Sequence, residues 1–180
     1  MPRYIAFLRA INIGGHTVKM DDLRQLFESL QFTGVETFIA SGNVVFEAGS
    51  DNPQELEKLI EGRLCEALGY EVATFIRTPQ ELASLAGCQP FPEAQFDAAV
   101  AFNVAFLKEP LDDVLVQKLM ERKTEIDDFR VHGREVYWLC RKKQSESAFS
   151  NAVLEKITGR PSTLRGMNTI TKMVTKFRSI

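Results

Sequence analysis

Histidine and cysteine are scarce. The 180 residues hold two histidines, His16 and His132, and three cysteines, Cys65, Cys88 and Cys140. With so few nitrogen and sulfur ligands a zinc site is not expected. No C-x-x-C pair occurs, and the odd cysteine count at wide spacing argues against a disulfide framework. Cys140 closes an apolar run, so it reads as a buried thiol rather than a nucleophile, although Arg141, Lys142 and Lys143 follow it. Apolar runs are short, and none approaches the ~20 residues of a membrane helix. The opening Met1-Pro2-Arg3 leads into Tyr4–Leu8 without the apolar stretch of a signal peptide. A cytoplasmic protein with no membrane association is therefore expected. Both G-x-x-x-x-G-K-[ST] and G-x-G-x-x-G are missing, which removes the usual nucleotide motifs, and no cofactor is expected.

What is present is ordinary globular material: 44% hydrophobic and 26% charged residues, with 13 Phe. The net charge of −2 hides an asymmetry. Residues 141–180 hold nine Lys/Arg and two Glu, a net +7, so residues 1–140 carry −9. A basic end favours anionic partners, or it faces the acidic remainder within the fold.

Periodicity gives the element order. Tyr4–Ala10 is apolar on both sides, as in a strand covered on both faces. Met20, Leu23, Leu26, Phe27 and Leu30 fall at helix spacing. Val35–Ala40 and Asn43–Ala48 form a hairpin about Ser41-Gly42. Asp51-Asn52-Pro53 opens a second helix that Gly69 ends, and Tyr70–Arg77 is a strand. Thr78-Pro79-Gln80-Glu81 is a capping box opening a further short helix. The order then repeats: strand Val100–Lys108, helix Leu111–Arg122, strands Asp128–Val131 and Glu135–Cys140 around His132-Gly133, helix Ser150–Ile157, a short strand Ser162–Arg165, and a closing helix Met167–Phe177. Both halves read β-α-β-β-α-β. The expectation is an α+β fold of two tandem ferredoxin-like halves, residues 1–88 and 89–180, with extra helices. Little sequence identity between the halves is evident at this level.

Three segments are candidates for chemistry. In Arg9-Ala10-Ile11-Asn12-Ile13-Gly14-Gly15-His16-Thr17-Val18-Lys19 a glycine-rich loop feeds a helix start, where backbone N–H groups favour an anion and Arg9 and Lys19 add charge. A glycine turn with a solvated Lys and a paired Arg explains the same residues. Ala40-Ser41-Gly42-Asn43 is explained by hairpin geometry alone. In Thr163-Leu164-Arg165-Gly166-Met167-Asn168-Thr169, Asn168 or Thr169 can cap the last helix, with Arg165 beside its start. A structural Arg–carboxylate pair is the plain alternative. The adjacent pairs Asp112-Asp113 and Asp127-Asp128 point apart on any regular element, so neither is an acid/base dyad.

At these segments the chain resembles a widespread, mainly bacterial family of uncharacterised proteins, a domain of unknown function. The resemblance lies in Tyr4 through Gly15 (YIAFLRAINIGG), Phe38 through Phe46 (FIASGNVVF) and Thr163 through Thr169 (TLRGMNT). At Gly166 and Met167 the chain departs from it, since the family typically has Asn and an aromatic there. The resemblance implies a two-part α+β fold with ferredoxin-like elements and no known activity. It makes Arg9, Asn12, Lys19, Ser41, Asn43, Arg165, Asn168 and Thr169 candidates for a shared cleft, or for an inter-domain hydrogen-bond network. Three readings follow. Gly14, Gly15 and those polar residues bind a small anionic or phosphorylated ligand at the seam between the halves. Alternatively the basic C-terminal segment binds nucleic acid, against which the pI of about 5.8 argues. Alternatively the polar residues are structural and there is no ligand site. Enzymatic activity and oligomeric state are not legible.

Overall fold

In a computed structural model, residues 1–12, 15, 17–39 and 42–178 are described. The chain divides into two units, Met1–Ser84 with Met173–Ile180, and Leu85–Lys172. Among the described residues no helix is long and apolar enough to cross a membrane.

The first unit is built on a four-stranded antiparallel sheet in the order β2-β3-β1-β4, from β1 (Arg3–Leu8), β2 (Thr33–Thr37), β3 (Asn43–Glu47) and β4 (Thr74–Arg77). Helices α1 (Met20–Glu28) and α2 (Pro53–Leu68) follow β1 and β3 in the chain. Leu23 and Phe27 of α1 and Leu56, Ile60 and Leu64 of α2 share one core with Tyr4, Ala6 and Leu8 of β1. The Asn52 side chain accepts from the N–H groups of Gln54 and Glu55 and so caps α2 at the predicted place, and Gly69 ends it in a left-handed conformation. The opposite face of β1 is equally dry, with Ile5 and Phe7 at most 1% exposed. Helix α3 (Pro79–Gly87) and the last turns of α7 (Met167–Phe177) border Ile5 there, through Leu82, Met173 and Phe177. This is the covering that the two-sided apolar strand required. The end of α7 is also fixed by Lys176, whose ammonium lies 3.1 Å from Glu36 and 5.5 Å above the Phe38 ring.

The second unit repeats the plan in the order β6-β7-β5-β8, from β5 (Ala101–Phe106), β6 (Asp127–His132), β7 (Glu135–Cys140) and β8 (Thr163–Gly166), with α5 (Asp113–Met120) and α6 (Asn151–Thr158). An α-helix not expected from the sequence, α4 (Glu93–Asp97), follows Pro90 and Pro92. Helix α5 is capped by Asp112, whose carboxylate accepts from Leu115 N–H at 2.8 Å.

Pairing register superimposes the halves residue by residue. On the helix-covered faces Ala6 pairs with Val44 and Ile76, and Ala105 pairs with Val136 and Leu164. The neighbouring pairs are then Ile5–Arg77 and Val104–Arg165. Ile5-Ala6-Phe7-Leu8 thus matches Val104-Ala105-Phe106-Leu107, so identities do repeat where strand β1 meets its counterpart. Arg77 and Arg165 behave alike. Each is at least nine-tenths buried, and each guanidinium donates to the carbonyl of the residue before it, Ile76 at 2.9 Å and Leu164 at 2.8 Å. The correspondence continues past the strand, because α3 starts two residues after Arg77 and α7 two residues after Arg165. The repeating unit is therefore β-α-β-β-α-β-α, and the extra helices belong to it.

Two buried polar groups of the second unit lie on opposite faces of its sheet. Asp127, 3% exposed, accepts from Trp138 Nε1 at 2.9 Å, Ser147 Oγ at 2.8 Å and Thr124 Oγ1 at 3.0 Å. Replacing it strands an indole N–H among apolar neighbours, so Asp127→Ala should cost about 3 kcal/mol in urea unfolding. Tyr137 is buried, which pushes its hydroxyl above the ordinary value of 10.0, with Cys88 and Glu135 adding to the effect. The folded state then holds a phenol proton that the unfolded chain loses above pH 10. Stability should fall as pH rises through that point, and a Tyr137→Phe variant should show a shallower decline in alkaline thermal melts.

Candidate functional site

In the first unit two of the three motif segments come together. Leu8 N–H donates to Gly42 C=O at 2.9 Å, which joins the loop after β1 to the β2–β3 turn. The approach is close: a Cβ added at Gly42 would lie 3.0 Å from Ile11 Cγ2 and 3.1 Å from Leu8 Cβ. Non-glycine residues flank this junction in left-handed conformations, Ala10 at φ 52° and Ile39 at φ 59°. For β-branched Ile39 that is genuine strain, of order 1–3 kcal/mol, held by surrounding bonds. Those bonds account for most of the polar motif residues. Asn12 Oδ1 accepts from Val18 N–H at 2.8 Å and closes the loop. Asn43, fully buried, donates from Nδ2 to Phe38 C=O at 2.9 Å and closes the hairpin. Tyr70 Oη donates to Ile11 C=O at 2.8 Å. Half-buried Arg9 anchors its backbone N–H to Ala73 C=O at 2.9 Å. Lys19 is exposed and precedes α1 without a side-chain cap. Gly15 takes φ 84° with open space around it. Gly14 and Ser41 lie outside the described residues.

The third segment belongs to the second unit. Arg165 does not project beside the start of α7. It is 8% exposed, and Nη1 donates to Thr163 Oγ1 at 2.7 Å and Leu164 C=O. Burial lowers its pKa to about 10. Asn168 and Thr169 are not caps, because α7 already begins at Met167 and they occupy its first turn.

A cleft of about 370 Å³ opens where β8 turns into α7, lined by Phe96, Phe102, Asn103, Gly166, Met167 and Asn168, with Ala99 to Ala101. Asn103 is 7% exposed, and its Nδ2 has no hydrogen-bond partner. Phe96 and Phe102 meet edge to face, centroids 5.1 Å apart. The internal repeat shows what is unusual here. At the corresponding helix start in the first unit, Thr78 Oγ1 accepts from Glu81 N–H at 3.1 Å and Thr78 N–H donates to Glu81 Oε2 at 2.8 Å. The position matching Thr78 is Gly166, which has no side chain with which to cap. The position matching Tyr4 is Asn103. The second unit thus has a helix start preceded by a residue with no side chain, and an amide donor without a hydrogen-bond partner, at one cleft. Sequence reasoning did not single out Asn103, Phe96 or Phe102. The available signal was an asparagine at an inward position of the apolar run Ala101–Phe106.

A smaller hollow of about 70 Å³ lies beside Gln95, Asp127 and Asp128. Asp128 Oδ1 already faces Arg130 Nη1 at 3.0 Å and Lys123 Nζ at 3.3 Å, and a polar space of that size suits ordered water. Among the described residues no group of three or more His, Cys, Asp or Glu could hold a metal ion.

Comparison with known proteins adds a family and a fold. A family profile described as "Protein of unknown function (DUF1697)" matches residues 1–137. The conserved bacterial protein SP0830 from Streptococcus pneumoniae shares the fold, with TM-score 0.76 over 97% of each chain at 23% identity. No curated protein matches.

The junction of the two loops has a direct test. Gly42→Ala meets both a left-handed backbone and a close contact, and should cost 2 kcal/mol or more by about the sum of the two penalties. Gly15→Ala meets the backbone penalty alone, about 1 kcal/mol. Chemical denaturation of the two variants measures the difference.

Proposed function

The chain belongs to that family, and we propose that it is a binding protein for a small anionic ligand, taken up in the cleft where β8 turns into α7. The observation that carries this is the buried, unpartnered Asn103 Nδ2 beside a helix start whose preceding residue, Gly166, has no capping side chain. An unsatisfied buried donor costs about 1–3 kcal/mol, and a folded chain has little reason to keep one that an apolar residue would remove. The first-turn N–H groups of α7 point the same way, because an α-helix satisfies none of its first four internally. Together they offer donors and the positive end of a helix dipole, about +0.5 charge, to one acceptor-bearing guest.

A second reading covers the first-unit motifs. Asn12 and Asn43 spend their side chains on local backbone groups, which favours a structural role in holding two strained loops. On this reading the anion site is not at Gly14 and Gly15.

The test uses a substitution that the internal repeat suggests. A Cβ at Gly166 would meet only Asn103 Oδ1, at an ordinary 3.8 Å. Gly166→Thr should therefore fit, cap α7 as Thr78 caps α3, and raise stability by about 1 kcal/mol. It should also abolish binding. In amide NMR titrations with sodium acetate, the wild type should show saturable shifts confined to Asn103 and residues 166–169, and Gly166→Thr and Asn103→Leu should not. Uniform, non-saturating shifts in all three proteins would refute the reading.

A further inference from the structure

Tyr4 and Asn103 hold matching places in the two units, one across from Phe46 on β3 and the other across from Trp138 on β7. Tyr4 fills its place with a ring and donates its hydroxyl to Ser50 C=O at 3.0 Å. Asn103 fills far less space and spends neither end of its amide. Nδ2 is buried without a partner. Among the described residues no donor meets Oδ1, which is the end of the amide that solvent reaches. Strand alternation puts Ala101 and Ala105 on the same face, and Gly166 stands opposite on β8, so small neighbours flank the amide.

The start of α7 lies within reach of the same guest. A Cβ at Gly166 would stand 3.8 Å from Asn103 Oδ1. In the first unit the residue at that place, Thr78, sets its hydroxyl oxygen on Glu81 N–H at 3.1 Å. The group matching Glu81 N–H is Thr169 N–H, in the first turn of α7, and Gly166 brings no oxygen to it. A guest oxygen in the place of that hydroxyl meets Thr169 N–H and lies beside the Asn103 amide. The guest then needs acceptors for Thr169 N–H and Asn103 Nδ2, and next to them a donor for Asn103 Oδ1. A carboxylate supplies the acceptors, and the helix start favours its charge. The donor has to be neutral, because an ammonium would face the positive end of the helix dipole. A hydroxyl on the carbon beside the carboxylate meets both conditions.

Building on the ligand-site reading above, we propose that the guest is a small 2-hydroxycarboxylate. Its carboxylate accepts from Asn103 Nδ2 and Thr169 N–H, and its hydroxyl donates to Asn103 Oδ1.

Four probes that differ at one group separate these contacts: glycolate, acetate, methoxyacetate and glycine, each titrated at pH 7.5 into the full-length, isotope-labelled chain. Glycolate should bind tightest, about three- to tenfold tighter than acetate, which offers Oδ1 no hydroxyl. Methoxyacetate keeps the oxygen but has no proton to give, and should bind no better than acetate. Glycine should bind about two- to fivefold more weakly than glycolate, because its ammonium faces the helix start. Asn103→Asp puts a like charge in place of the donor, and should weaken glycolate and acetate at least about tenfold. The inference is overturned if acetate or methoxyacetate matches glycolate, or if glycine outcompetes it. Any of those results, with saturable shifts still centred on Asn103 and residues 166–169, leaves the ligand site itself standing. Undiminished binding by Asn103→Asp, or absence of saturation with all four probes, removes both.

Discussion

Burial of the central strand on both faces governs this molecule. A ferredoxin-like sheet with two helices covers one side only, and β1 presents Ile5 and Phe7 to the other. Leaving two such side chains wet would forgo roughly 3–6 kcal/mol, so the repeating unit carries an additional helix after its fourth strand. Helix α3 supplies it in the first unit, together with the last turns of α7. Each extra helix begins directly off an edge strand, β4 or β8, at Arg77-Thr78 and Arg165-Gly166. The need to cover a sheet thus creates two helix starts beside buried strand ends, and the two are finished differently.

That difference resembles the difference between its two buried asparagines. Asn43 and Asn103 both sit on strands and are both nearly inaccessible. Asn43 spends its amide on Phe38 C=O, five residues away, and so fixes a hairpin next to strained Ile39. Asn103 has no such carbonyl within reach. The first arrangement is structural expenditure of a polar group, since strain at Ala10 and Ile39 persists only where neighbouring bonds over-determine it. The second is a polar group held in reserve.

The sequence carried the architecture because two periods alternate cleanly along it. The capping box at Thr78–Glu81 and the Asn52 cap were readable residue by residue, since a cap needs only local spacing. Helix α4 was not, because five residues among prolines show no period. The site was less legible for a related reason. Arg9, Lys19 and Arg165 attract attention through charge, yet what matters is where a side chain leaves its strand. One step of register sends Arg165 to one face and Gly166, with its partner Asn103, to the other. Glycine reads as a turn signal in a linear scan. Its meaning here, a missing cap, appears only when the two halves are aligned through their pairing.

The basic C-terminal segment can now be divided by what its charges do. Arg165 is consumed within β8, and Lys176 pairs with Glu36 and covers Phe38. Arg165 is buried and keeps fixed partners, which offsets the desolvation cost of a cation lodged in a strand, while the Lys176 side chain stays 48% exposed in its surface pair. The charge asymmetry that suggested phosphate or nucleic acid is therefore partly internal wiring of the fold. On the proposed binding reading, electrostatic selection of a guest would fall to the α7 start, where the field comes from backbone dipoles. Dipoles discriminate by position more than by magnitude: they favour a single acceptor placed on the helix axis and gain little from a second charge.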